Sequence, residues 1–204
     1  MKKKDVHSYT YAYEYIRDQI LSGKIDPETK LTETSLAEKL GISRTPIRSA
    51  IAKLEQEGLI KNKRIFIPSS IDMRNIFQVR ILLEGYAAKY CANFITENAL
   101  LRLRECVDIG HNGTTEEIMI ANYQFHQIIV EETNNPLITD IIERMQSIIY
   151  LARKTVVQQK RPFLIDEHEL ICNAIESHNG ELAEQLMIEH LQKDLEFSLN
   201  RISN

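Results

Sequence analysis

The sequence predicts a mainly α protein in two parts: three helices and a small hairpin over residues 1–68, then a six-helix antiparallel bundle over residues 69–204. Three observations carry this. The chain has 7 Gly, 5 Pro and no Trp, too few turn residues for a β-sandwich, and Ile and Leu far outnumber Val. Apolar residues recur at helical spacing through most of its length. Runs of β type are confined to one short stretch after Gly58. With 43% hydrophobic and 26% charged residues, a chain of 204 can bury a core without disulfides, which excludes a disordered tail, a collagen-like repeat and a small stapled domain.

In the first part, Ala12, Ile16 and Ile20 recur every four residues and Gly23 supplies a stop, so a helix runs over Tyr9–Ser22. Thr32 caps a second helix carrying Leu36, Ala37 and Leu40, ended by Gly41. Ser43 caps a third, whose inner face is Ile47, Ala50, Ile51 and Leu54 and whose stop is Gly58. Pro46 falls in its first turn, where a missing N–H costs little. Two β-type runs, Leu59-Ile60 and Ile65-Phe66-Ile67, flank Lys61-Asn62-Lys63-Arg64 and form a hairpin.

Three helices, a four-residue Gly-containing turn between the second and third, and a β wing are the plan of a winged helix-turn-helix. The third helix is then the recognition helix, and Ser43, Arg44, Thr45 and Arg48 lead it. Arg44 and Arg48, four apart, project from one face, and each guanidinium can make a bidentate contact to guanine or phosphate. Lys53 lies further up the same helix. The charge distribution agrees. Residues 1–70 hold 13 Lys and Arg against 9 Asp and Glu, a net of +4, while the other 12 basic and 20 acidic residues give the remainder −8. The overall −4 averages the two.

From Ile71 the pattern is helical throughout. One helix carries Ile76, Val79, Leu82, Leu83, Tyr86, Ala87 and Tyr90; Thr96 caps the next, with Leu100, Leu103 and Val107. A turn over Gly110–Thr114 precedes a helix with Ile118, Ala121, Phe125, Ile128 and Ile129. Pro136 opens a long apolar helix through Val157. Two last helices, about 163–177 and 181–199, are joined by His178-Asn179-Gly180.

His168 and His190 stand 11 residues before and 11 after Asn179, so an antiparallel hairpin brings them to the same level. Asn122 and His126 are an i, i+4 pair on one helix face. Three imidazoles and a side-chain oxygen converging in a bundle suit a divalent transition metal. His7, His111 and His178 read as surface residues. Cys91, Cys106 and Cys172 are odd in number, widely spaced and without a CxxC, as in a reducing compartment, and the polar, Tyr-rich stretch after the initial lysines is no signal peptide. No run approaches a membrane span, so the protein is expected in the cytoplasm.

The stretch Leu36–Ile60, above all Ser43-Arg44-Thr45-Pro46-Ile47-Arg48, resembles the signature of the GntR family of bacterial transcription regulators, over roughly Tyr13–Ile67. The second part is similar to the FCD effector domain that follows this module in one subfamily, through Arg80-Ile81-Leu82-Leu83-Glu84, Ala87-Ala88, Phe125-His126, Glu167-His168 and His190-Leu191. Six helices in so short a chain resemble its VanR branch. The resemblance implies DNA contacts at Ser43, Arg44, Thr45, Pro46 and Arg48, with Thr34 where some members carry Arg. It implies phosphate contacts at the wing, where Lys63 and Arg64 replace the usual Gly-rich tip. It also implies a zinc or nickel site at Asn122, His126, His168 and His190, with Asn122 in the place of an Asp.

A small carboxylate effector is then held by the metal and by Arg80, with Arg102 added from spacing. These residues together lead to a dimeric, ligand-responsive repressor of palindromic operator DNA. A metal sensor and a metal-dependent enzyme are the alternatives. The sequence lacks HExxH, GxSxG, a P-loop and a carboxylate pair near the histidines, which argues against the enzyme.

Overall fold

The computed structural model describes the backbone of residues 3–158 and 160–202 and the side chains of 7–145, 148–150, 157 and 160–200. The chain divides into two compact units, Met1–Pro68 with Arg144–Ile148, and Ser69–Glu143 with Ile149–Asn204.

The first unit contains α1 (Lys3–Leu21), α2 (Glu33–Leu40), α3 (Arg44–Gln56), β1 (Ile60–Lys61) and β2 (Arg64–Ile65). Helix α1 starts six residues earlier than the periodicity predicts, because no Gly or Pro interrupts Lys3–Leu21. It packs on α3, and Ala12, Ile16, Ile47, Ala50 and Leu54 are fully buried. The Tyr13 hydroxyl ties the two helices together by donating to the Glu57 carboxylate at 2.8 Å. The Thr32 side chain caps α2 by accepting from Ser35 N–H, and Gly41 closes it in the left-handed region at φ 65°. Ser43 takes the extended N-cap backbone of α3, but its side chain makes no capping bond there, contrary to expectation. Gly58 follows α3 at φ 77°.

Strands β1 and β2 pair antiparallel, Ile60 opposite Ile65 and Lys61 opposite Arg64. The regular strands therefore sit closer to the turn than the β-type residues alone predict, although Phe66 N–H still donates to Leu59 O at 2.8 Å. Asn62 and Lys63 form the two-residue connection at φ 53° and 60°, both left-handed, the geometry that matches the twist of a tight hairpin. Asn tolerates this; Lys does so at the expense of backbone strain. The Lys63 carbonyl also accepts from Leu31 N–H at 2.8 Å, which fastens the wing to the segment leading into α2.

Six helices follow, α4 (Ser70–Phe94), α5 (Glu97–Asn112), α6 (Thr115–Glu131), α7 (Pro136–Gln158), α8 (Leu164–Glu176) and α9 (Gly180–Ile202), and apart from Arg144–Ile148 of α7 they make up the second unit. Ser69 and Asp72 form a capping box on α4, Thr114 and Glu117 another on α6, and Thr96 caps α5. Gly110, expected in a turn, lies inside α5. A Cβ there would stand 2.7 Å from Ile165 Cδ1, so the missing side chain permits the close approach to α8. Helix α4 packs most extensively on α9, with α6 and α8 also against it. Among the described residues no helix is long and apolar enough to cross a membrane.

Replacing Lys63 with Gly should relieve the left-handed strain and raise the unfolding free energy of the winged unit by about 1 kcal/mol. Chemical denaturation of the full chain checks this; an unchanged or lower midpoint would show that the turn is not strained.

Candidate functional site

Two sites emerge, one in each unit. In the first, Ser43, Arg44, Thr45 and Arg48 are all exposed at the head of α3, whereas Pro46 is buried with Ile47. Pro46 therefore leaves the expected contact set: its ring faces the core and starts the helix. With no capping bond on it, the Ser43 hydroxyl stays on the exposed face. Arg48 donates to both oxygens of Glu33 at 2.8 Å, and Arg44 Nη2 to Glu33 Oε2 at 3.1 Å. Hydrogen bonds from Arg48, and then from Arg44, hold the Glu33 carboxyl down at about 2. Glu33 opens α2 and was not among the residues that sequence reasoning marked. It lies 11 and 15 residues from its partners, and only folding brings them together.

A cleft of about 310 Å³ beside these arginines is lined by Thr34, Arg44, Arg48 and, from the wing, Lys63. Lys53 pairs with Glu57 at 3.2 Å and Arg64 with Glu28 at 3.3 Å. Both remain substantially exposed, and such surface pairs are weak and salt-screened.

In the second unit, His126 on α6, His168 on α8 and His190 on α9 are buried to within 1% and converge. His190 Nε2 lies 3.2 Å from His168 Nε2 and 3.4 Å from His126 Nε2. The outer nitrogens meet carboxylates: His126 Nδ1 is 2.6 Å from Glu84 Oε2, and His190 Nδ1 is 2.9 Å from Glu167 Oε2. Phe125 stacks on His168, ring centroids 4.1 Å apart, and fixes that ring's plane. Arg161 donates to Glu167 at 3.2 and 2.5 Å, and its Nε is 2.7 Å from Asp194 Oδ1. Burial by itself would raise the Glu167 carboxyl, but hydrogen bonds from His190, Arg161 and Lys193 outweigh it and hold it at about 2.

These contacts fit a bound cation. A carboxylate on Nδ1 of His126 and of His190 selects the tautomer that donates outward, so the Nε2 lone pairs of these two rings turn inward. Arg161 Nη2 also lies 3.2 Å from His190 Nδ1, but farther than the Glu167 oxygen on which both groups converge. The Nε2 lone pairs of His126 and His190, 3.4 Å apart, repel unless a cation lies between them, and His168 Nε2 stands 3.2 Å from the same His190 nitrogen. Tetrahedral zinc with nitrogen donors at about 2.0–2.1 Å sets its ligand atoms about 3.3 Å apart.

Asn122 sits one turn before His126, 2% exposed, and neither atom of its amide has a hydrogen-bond partner. Arg80 is fully buried: it pairs with Glu84 at 2.7 Å, lies over the Phe77 ring, and leaves Nη1 without a hydrogen-bond partner. Arg102, by contrast, is exposed on α5, so it does not join the buried site as spacing led one to expect. Glu84, Arg161, Glu167 and Asp194 complete the constellation, and of these the sequence pointed to Glu84 and Glu167 only as neighbours of other residues. The i, i+4 spacing of His190 and Asp194 was the available signal for Asp194. His178 Nδ1 donates to the Ala92 carbonyl at 2.8 Å, and His111 pairs with Glu169 near the surface.

Comparison with known proteins agrees with both halves. Residues 8–64 match the bacterial regulatory proteins of the gntR family, and residues 75–193 match the FCD domain. The chain is 29% identical to the HTH-type transcriptional regulator YdhC of Bacillus subtilis, over 92% of this chain and 89% of that one. It is 26% identical to the HTH-type transcriptional repressor RspR of Escherichia coli, over 89% and 84% respectively. The fold superposes on that of E. coli McbR/YncC with a TM-score of 0.76 at 20% identity, covering 97% of this chain and 99% of the other. The chain thus belongs to the GntR family of bacterial regulatory proteins, in the group whose helix-turn-helix module is followed by an FCD domain, and it is a transcription regulator, not an enzyme.

Proposed function

We propose that the protein is a dimeric repressor that reads a palindromic operator through α3 and releases it when a small carboxylate binds beside a metal in the second unit. The observation that carries this is the buried three-histidine cluster, in which carboxylates anchor the outward nitrogens of His126 and His190 and one nitrogen of each ring approaches the others within 4.8 Å. His126, His168 and His190 would hold the metal, zinc or nickel by donor type, and Asn122 offers a neutral oxygen beside them. When bound, the metal supplies a Lewis-acidic position for an effector carboxylate. Arg80 contributes the unpartnered Nη1 as a charge-assisted donor in the same core. The deeply buried site suits a small ligand enclosed on all sides.

Dimerisation is supported by an apolar stripe on α4, where Leu82, Tyr86 and Phe94 remain 68%, 49% and 66% exposed at helical spacing. A second copy covering it would produce the two-fold axis that a palindrome mirrors. Burial pushes the Cys91 thiol up to about 12 and those of Cys106 and Cys172 to about 11, so all three stay inert, as suits the cytoplasm. On the DNA side, Glu33 holds the two guanidiniums side by side, and that order is in place before DNA arrives.

Two outcomes are expected. Against an operator selected from random duplex DNA, Arg44→Ala and Arg48→Ala should each weaken specific binding about 10- to 100-fold, while Lys63→Ala weakens all duplexes equally and lowers the salt slope by about one. Operator titrations at several salt concentrations measure this, and unchanged specificity in both arginine variants would remove α3 from the reading role. Purified without chelator, the chain should retain about one zinc or nickel ion, and His126→Ala, His168→Ala or His190→Ala should each lose it on dialysis. Metal analysis decides: a wild type that takes up neither ion has no such site.

A further inference from the structure

We infer that Glu33 is the positioning residue that sets the selectivity of α3 for bases over phosphates: its carboxylate occupies one edge of the Arg48 guanidinium and leaves the other for guanine. The inference rests on the reading of operator DNA by α3. A planar guanidinium presents two forks to a pair of acceptors, a side edge of Nε with Nη2 and an end edge of Nη1 with Nη2. Glu33 takes the side edge of Arg48, with Nε donating to Oε1 and Nη2 to Oε2, both at 2.8 Å. Oε2 also accepts from Arg44 Nη2 at 3.1 Å, so one carboxylate holds both side chains. Among the described residues no other hydrogen bond or ion pair engages either guanidinium, and the end edge of Arg48 keeps its N–H groups for a ligand.

The layering of the three side chains favours this division. That of Glu33 is 25% exposed, those of Arg44 and Arg48 are 61% and 64% exposed, so the carboxylate lies beneath the arginines and not in front of them. The chain is fixed where it enters α2. Thr32 caps that helix by accepting from Ser35 N–H, and the buried Leu31 donates its N–H to the Lys63 carbonyl of the wing. An acidic side chain in the first turn is also favoured by the helix dipole. With its carboxyl held at about 2, Glu33 carries its negative charge at neutral pH.

Phosphate and guanine meet this arrangement differently. A phosphate, which every duplex presents, competes with Glu33 for the side edge and is repelled by its charge. The major-groove edge of guanine, O6 with N7, is uncharged and fits the end edge with Glu33 in place. Glu33 thus weakens attachment to any duplex and spares attachment to one that places a guanine in register. Specificity is the difference between those two affinities, and the carboxylate widens it from the unfavourable side.

The test uses the full-length protein, the operator selected from random duplex DNA and an unrelated duplex of the same length, at one salt concentration. Glu33→Gln keeps the shape and removes the charge. Its operator affinity should fall about tenfold while its affinity for the unrelated duplex rises about threefold. Selection from random DNA with Glu33→Gln should relax the base preference at the position that Arg48→Ala relaxes. Damage to α2 would instead weaken every duplex together and relax all positions alike. Affinities for both duplexes that stay at the wild-type values or shift by the same factor, or relaxation only where Arg48→Ala has no effect, overturn the role of Glu33 and leave α3 as the reading helix. Unchanged base preference in both Arg44→Ala and Arg48→Ala overturns the reading by α3 and this inference with it.

Discussion

Three imidazole nitrogens turned toward one centre, with carboxylates behind two of the rings, are the constraint around which the bundle is organised. Each ring comes from a different helix: α6, α8 and α9. Glu84 adds α4, and it is itself held by the buried Arg80 one turn earlier. The polar centre thus binds four helices to one point inside an otherwise apolar core of residues such as Phe77, Leu103, Ile129 and Met187. Buried polar groups stabilise only when every partner is supplied, and breaking such a network by removing one member is more costly than never having built it. Among the described residues the buried side-chain atoms without a hydrogen-bond partner, on Arg80, Asn122, Arg161, Asp194 and Ser198, all lie in this unit. Unpaired donors and acceptors in a buried polar core call for a partner, and the proposed metal and effector would supply one.

The winged unit applies the same logic at its surface. A single carboxylate, Glu33, gathers both arginines at the head of α3, so the side chains best suited to bidentate contacts do not wander in solvent. Because the pair is exposed, salt and competing phosphates loosen it readily. The clamp orders the guanidiniums at the exposed head of α3. The wing supplies Lys63 in a two-residue turn whose backbone conformation would suit glycine better, so charge is retained at the tip where backbone freedom is given up.

Much of this was legible in the sequence where the information is local. Thr32, Ser69, Thr96 and Thr114 sit at helix starts because a side-chain oxygen can reach an N–H two or three residues on, a relation that never leaves the segment. The levels of His168 and His190 followed from their symmetry about Asn179, since rise per residue is fixed; whether the rings faced each other depended on helix rotation, which spacing does not fix. Contacts between distant elements were not legible. Glu33 meets Arg48 across 15 residues, and Arg161 meets His190 across 29. Arg161 lay in a stretch that read as an interruption between helices. Arg102 failed as a candidate for the converse reason: its spacing is helical, but it faces outward from α5. Pro46 resembled part of a contact motif, yet its contribution is to the start of α3.

The central claim is that the buried site of the second unit controls the reading helix of the first through a small carboxylate held at a metal. It is tested most directly by operator affinity of the zinc-loaded protein with lactate, gluconate, malate or citrate added, in wild type and in His168→Ala. The account predicts that at least one of these acids lowers wild-type affinity by about tenfold or more, and that the effect disappears in His168→Ala. Release of DNA by zinc alone, or a carboxylate response that survives loss of His168, would contradict it.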